Sequence, residues 1–236
     1  NKSDKGLLSK MCKLNRKICS ALNWINPNLN NISHNFEKIK VCFISDSLTC
    51  ESSVLRDRMG IILNLDRNIF DVYYAGTVKQ EDIIFKVSTQ FKKSMEGKYI
   101  KLDDNSLDNS RKILQTHNFN IIVYPDIGMK TFQTYLSYSR IAPIQINTWG
   151  HSDTSGIDTI DYYISSKYFE LNYDEAQTHY SEKLILLNSL STYYFEPNKL
   201  FCGEDFQYKT RRELNIPDED NIYWCMQTFY KINDEF

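Results

Sequence analysis

Apolar positions change their period several times along the chain. Leu7, Met11, Leu14, Ile18 and Leu22 recur every three to four residues and predict one helix with an apolar stripe, ending before Asn26-Pro27. A polar, Asn-rich stretch from Asn26 to Asn35 reads as a linker. From Lys40 onward the pattern alternates between two kinds of segment. Lys40–Ser45 (KVCFIS) predicts a buried strand, and Leu55, Met59 and Ile62 a helix face with Ser52 or Ser53 as N-cap. Ile69–Ala75 predicts a second strand, and Ile83, Val87 and Phe91 a second helix. Tyr99–Leu102 predicts a short strand. Ser106 opens a third helix with Leu107, Ser110 and Leu114 on one side. Asn120–Tyr124 and Pro143–Thr148 predict strands flanking a helix over Thr131–Ser139. Asp161–Ser165 and Leu184–Leu187 predict two more strands, and Asn221–Met226 a last one after the turn Ile216–Asp220.

Strand-helix alternation with short connections implies an α/β fold, a Rossmann-like parallel sheet covered on both faces. The run IIVY is apolar without alternation, as a strand buried on both faces should be. In such a sheet ligands bind beyond the carboxyl ends of the strands. Three loops follow predicted strands there: Asp46–Ser53, Asp126–Met129 and Trp149–Gly156. Gly128, Gly150 and Gly156 permit close backbone approach or positive φ. Thr154 and Ser155, with Ser152 and Asp153, crowd donors and acceptors between two glycines. That loop suits a phosphate or sugar face, and equally an elaborate turn. His151 fits either a base or a hydrogen-bonded structural residue, and Asp126 either a ligand contact or a cap. Asp218-Glu219-Asp220 has the look of a metal-binding D-x-D but precedes a strand, so it reads as a solvated turn. No Walker loop, G-x-G-x-x-G or H-E-x-x-H occurs.

Composition narrows the class. The 236 residues are 42% hydrophobic and 25% charged, enough for a sizeable core. A net charge of -2 provides no global field toward nucleic acid or anionic lipid. No apolar run approaches the ~20 residues that span a bilayer, and Asn1–Lys5 lacks a signal-peptide core. None of the six cysteines forms a C-x-x-C pair, so neither metal spacing nor redox spacing is evident. Together these lead us to expect a cytoplasmic protein with no membrane and no nucleic-acid partner. Without a starting Met, the chain is expected to come from a longer parent.

Several spaced motifs occur in one order: Tyr124-Pro125-Asp126-Ile127-Gly128-Met129, Arg140-Ile141-Ala142-Pro143-Ile144-Gln145, Trp149-Gly150-His151, Thr154-Ser155-Gly156, Asp161-Tyr162, Tyr180-Ser181-Glu182-Lys183-Leu184 and Gln227 through Ile232. Over roughly residues 40–236 this order resembles glycosyltransferase family 41, the protein O-linked N-acetylglucosamine transferases and bacterial cytoplasmic protein N-glucosyltransferases. The resemblance implies two facing Rossmann-like lobes, the GT-B arrangement, with an inverting mechanism and no metal or other cofactor. The partners it implies are a UDP-sugar donor and an acceptor protein or peptide. It divides the chain into a leading helical segment and linker (1–38), an N-terminal lobe (39–215) and the start of a nucleotide-sugar lobe (216–236). Gln227 and Lys231 match the family's diphosphate-binding pattern, where a cation offsets charge on leaving UDP. Met129, Trp149 and Gly150 match positions lining the donor cleft. Asp46 matches, within a residue, an acidic position once proposed for catalysis. The family's His in the loop after the first strand is replaced here by the stretch Cys50–Ser53, which leaves His151 as the substitute candidate. An alternative is a non-catalytic lobe of the same fold that binds a protein or peptide.

Overall fold

The computed structural model describes residues 3–32, 37–49, 52–79, 89–195, 207–223 and 225. Seven strands form one sheet, all parallel: β1 (Ile39–Ile44), β2 (Phe70–Gly76), β3 (Tyr99–Lys101), β4 (Ile121–Tyr124), β5 (Ile144–Thr148), β6 (Tyr162–Ser166) and β7 (Lys183–Leu187). Their spatial order is β3-β2-β1-β4-β5-β6-β7. The chain therefore runs outward from β1 to β3, returns, and continues on the other side from β4. The reversal lies between β1 and β4, paired in register from Val41–Ile121 to Phe43–Val123.

Alternate residues of β1 feed two cores, because side chains in a strand alternate faces. Val41 and Phe43 pack with Leu55, Met59 and Ile62 of helix α2 (Ser53–Asn64) and with Phe91 and Met95 of α3 (Thr89–Met95). Cys42 and Ile44 pack with Leu114 of α4 (Leu107–Gln115) and Leu136 of α5 (Thr131–Ser137). Both faces are thus covered, as parallel sheets require. Ser52 Oγ caps α2 by accepting from Leu55 N at 3.0 Å, and Ser106 Oγ caps α4 from Asn109 N at 3.2 Å.

The outer end of the sheet carries a helix that the hydrophobic pattern did not predict, α6 (Tyr173–His179). Asn172 caps it, its Oδ1 accepting from Glu175 N at 3.1 Å while its amide donates to Glu175 Oε2 at 3.0 Å. The leading helix, α1 (Lys5–Ile18), ends earlier than expected. Its last predicted apolar position, Leu22, lies in a separate 3-10 turn, Ser20–Asn23. Helix α1 sits against the lobe through buried Cys12, through Asn15 Nδ2 to Tyr138 Oη at 3.0 Å, and through Arg16 to Asp158 at 2.6 Å. Of the expected strand over Asn221–Met226, Asn221–Tyr223 and Cys225 lie in no regular element, and the rest fall outside the described residues. Ile83, Val87, Gln227 and Lys231 also fall outside them.

Candidate functional site at the carboxyl edge of the sheet

The loops that leave β1, β4 and β5 meet at the carboxyl edge. They are fastened there by polar contacts that cross large sequence separations. Beyond β1, Ser45 Oγ accepts from Ser47 N at 3.0 Å and starts a 3-10 turn, Asp46–Leu48. Ser47 Oγ then donates to Asp126 Oδ2 at 2.6 Å. That bond bridges β1 and β4, the pair between which the strand order reverses. Open α/β sheets place ligands at such a crevice.

Asp126 is buried, and its second carboxylate oxygen has no hydrogen-bond partner among the described residues. Burial, helped by the neighbouring Asp46 charge, pushes its carboxyl above the ordinary range despite the Ser47 contact. Asp46 is placed differently. Its Oδ1 accepts from Thr77 N at 2.5 Å and its Oδ2 from Thr77 Oγ1 at 2.6 Å, which ties the end of β1 to the end of β2. An added Cβ on Gly76 would come 2.8 Å from Asp46 Oδ1, so a glycine there leaves room for this tie.

The loop after β5 presses onto the loop after β4. Gly150 N donates to Pro125 O at 2.9 Å, and a Cβ on Gly150 would lie 2.2 Å from that oxygen. Gly128 has φ +98, a left-handed conformation that favours glycine, and the His151 ring lies 3.7 Å from its ideal Cβ position. His151 is exposed, and its carbonyl accepts from the buried Tyr163 Oη at 2.8 Å. Asp126, Gly128, Gly150 and His151 are therefore brought together, with Asp46 one strand away on the same edge.

Thr154 and Ser155 make the internal contacts of an elaborate turn. Glu182, buried at the entrance to β7, takes Thr154 Oγ1 at 2.6 Å, Ser155 N at 2.8 Å, Ser155 Oγ at 2.5 Å and Ser181 Oγ at 3.0 Å. The Thr154 and Ser155 hydroxyls are thus committed to an internal carboxylate. Gly156 has φ +68, and a Cβ there would strike the backbone of Leu8 at 2.5 Å, so this glycine lets α1 approach.

Two grooves border the loop. One of about 410 Å³ is lined by Leu7 and Met11 of α1, Met129, Tyr135, His151 and Thr154. The other, of about 620 Å³, is lined by Trp149, Asp153, Phe169 and His179. Met129 and Trp149 thus face different grooves. Trp149 stacks on Phe169 with ring centroids 4.9 Å apart. Asp218-Glu219-Asp220 forms an exposed turn, and among the described residues no cluster of His, Cys, Asp or Glu has the makings of a metal site. Also among them, no helix is long and apolar enough to cross a membrane. Ser47 and Glu182 were not singled out from the sequence. Glu182 lies within the motif Tyr180–Leu184, but nothing in the spacing links it to Thr154 and Ser155.

No protein-family model and no curated protein matches the chain. Among solved structures it is similar to an O-GlcNAc transferase mutant of Thermobaculum terrenum, with a TM-score of 0.57 at 14% identity. The likeness covers 66% of this chain and 29% of that one, so the chain spans less than a third of that transferase's length. At that identity the likeness concerns the fold: an α/β, Rossmann-like sheet matching the architecture of a GT-B glycosyltransferase.

Proposed function

We propose that this chain forms the N-terminal lobe of an inverting, metal-independent, cytoplasmic glycosyltransferase that moves a GlcNAc or hexose from a UDP-sugar to a protein side chain. The observation that carries the reading is the closed junction at the strand-order reversal, Ser47 to Asp126 at 2.6 Å, with exposed His151 on the adjacent loop. It is supported by the fold's likeness to a protein named as an O-GlcNAc transferase.

In this reading the facing lobe supplies most of the donor site. Gln227 and Lys231 would stand at its entrance, and the lysine would offset charge that builds on the departing diphosphate. His151 and Met129 are exposed side chains that would meet donor and acceptor from this side. Asp46 and Asp126 would shape the floor through Thr77 and Ser47.

The test is sugar transfer from radiolabelled UDP-sugar to a protein acceptor by the longest natural form of the protein, with and without EDTA. Transfer that survives EDTA and falls by about 10²-fold in Lys231→Ala, with unchanged folding, is expected. Near-normal turnover in Lys231→Ala would remove the donor-site assignment. A second reading, a non-catalytic lobe that binds a protein or peptide, draws on the internal commitment of Asp46, Thr154 and Ser155. Absence of both transfer and UDP binding in that form would favour it.

A further inference from the structure

Helix α1 carries its apolar stripe on the outside. Leu7, Met11, Leu14 and Ile18 are 59%, 48%, 56% and 74% exposed, whereas Cys12 on the other side is buried. Large apolar side chains in a continuous exposed row mark an interaction surface more often than a neutral one. Their intervals of four, three and four residues are those of the a and d positions of a coiled-coil seam. The face continues beyond the helix, since exposed Met129 and Tyr135 line the groove beside Leu7 and Met11.

Charge selects the occupant. Helix α1 carries Lys5, Lys10, Lys13, Arg16 and Lys17 and has no acidic residue. Arg16 is held by Asp158, while Lys10, Lys13 and Lys17 are exposed and make no ion pair among the described residues. With Leu7 and Leu14 at d, Lys10 and Lys17 fall at g, directly beside the seam. A second copy laid antiparallel would set these lysines against their counterparts, and like charges at such positions repel. We propose that the outer face of α1 docks an amphipathic helix of another protein, apolar along its seam and acidic along its flank. The docked helix would border the groove lined by Met129 and His151, but its recognition does not draw on the transferase reading.

The test uses the full chain and two labelled synthetic helices of about three heptads, identical in their Leu seam. One carries Glu at its e and g positions and the other Lys. By fluorescence anisotropy at low salt, the Glu helix is expected to bind about tenfold or more tightly than the Lys helix, with the difference shrinking as salt rises. Leu14→Asp should abolish binding, and unchanged far-UV circular dichroism would show that this exposed site does not govern folding. The pair Lys10→Glu and Lys17→Glu leaves the apolar stripe intact and should reverse the preference. Equal affinity for both helices, or binding of neither, overturns the proposal. So does self-association in sedimentation that Leu14→Asp removes, since the occupant would then be a second copy.

Discussion

Glu182 offers the sharpest test of how the carboxyl edge is held. Its buried carboxylate gathers four donors from three residues: the Thr154 hydroxyl, the Ser155 amide and hydroxyl, and the Ser181 hydroxyl. In Glu182→Ala, Thr154 and Ser181 keep each other, their hydroxyls already 2.9 Å apart. The Ser155 amide and hydroxyl have no such alternative. A buried donor left unpaired costs about 1–3 kcal/mol; Ser155 is half-buried, so each of its two donors falls in the lower half of that range, and together they place the variant about 3 kcal/mol below the parent. For a chain of this size that is a fall in Tm of about 6–12 °C. Glu182→Gln keeps the shape. Its carbonyl can serve Ser155 while its amide donates to the Thr154 and Ser181 hydroxyls, which rotate to accept, so about 1 kcal/mol is expected. Urea unfolding gives both values, and hydrogen exchange at the Ser155 amide reports the loop directly. If the alanine variant costs less than the glutamine variant, or neither costs anything, the carboxylate is not what holds this loop.

Other consequences follow from the same geometry. Gly156→Ala forces a Cβ against Leu8 at 2.5 Å and a side chain into a left-handed backbone, so it should cost about 1–3 kcal/mol and speed amide exchange across α1; unchanged exchange there would refute the close approach. The raised carboxyl of Asp126 means that the native state holds its proton to higher pH than the unfolded chain does. Stability from this group is therefore full below the ordinary aspartate range and is lost as pH climbs toward the raised value. The Tm of Asp126→Asn minus that of the parent should grow as pH rises from about 4 to 8, and a flat difference would contradict the burial argument. Cys42 is buried with its thiol pushed well up by desolvation, whereas Cys19 and Cys225 are exposed. Alkylation of the native protein should label the latter two and spare Cys42 until denaturant is added.

The strands were legible in the sequence because a strand buried on both faces needs apolar residues at every position. The runs around Val41, Val72 and Ile122 come close to that demand, whereas β5 around Ile146 instead buries the polar Gln145 and Asn147. Helix α6 was missed for the opposite reason. Of Tyr173–His179 only Ala176 is buried, so there is no apolar stripe to read, and the signal was the cap formed by Asn172 and Glu175. The stripe of α1 was legible as a stripe but not as an outward one. Periodicity says which residues share a face and nothing about what covers it. The glycines at 128, 150 and 156 were recognisable as close approaches. Their neighbours were not, since Ser47 reaches Asp126 across 79 residues and Ser155 reaches Glu182 across 27. Such contacts depend on strand order, which leaves no local pattern.

The carboxyl edge divides into a fastened part and an open part, and the division bears on mechanism. The fastened part comprises Asp46 on Thr77, Ser47 on Asp126, Gly150 on Pro125, and Thr154 with Ser155 on Glu182. These contacts fix the backbone of three loops without offering their polar atoms outward. The open part comprises the His151 side chain over Gly128, Met129 at the lip of the neighbouring groove, and the exposed Lys130 and Ser152 beside them. A site that performs chemistry alone needs several converging polar groups, because positioning and charge stabilisation supply most of the rate. An exposed imidazole, thioether, ammonium and hydroxyl that no hydrogen bond joins among the described residues fall short of that. A rigid wall completed by groups from a facing surface does not, since the wall's task is then to hold one or two side chains without reorganisation. The arrangement at this edge is that of a wall, which is what the proposed two-lobe reading requires of it.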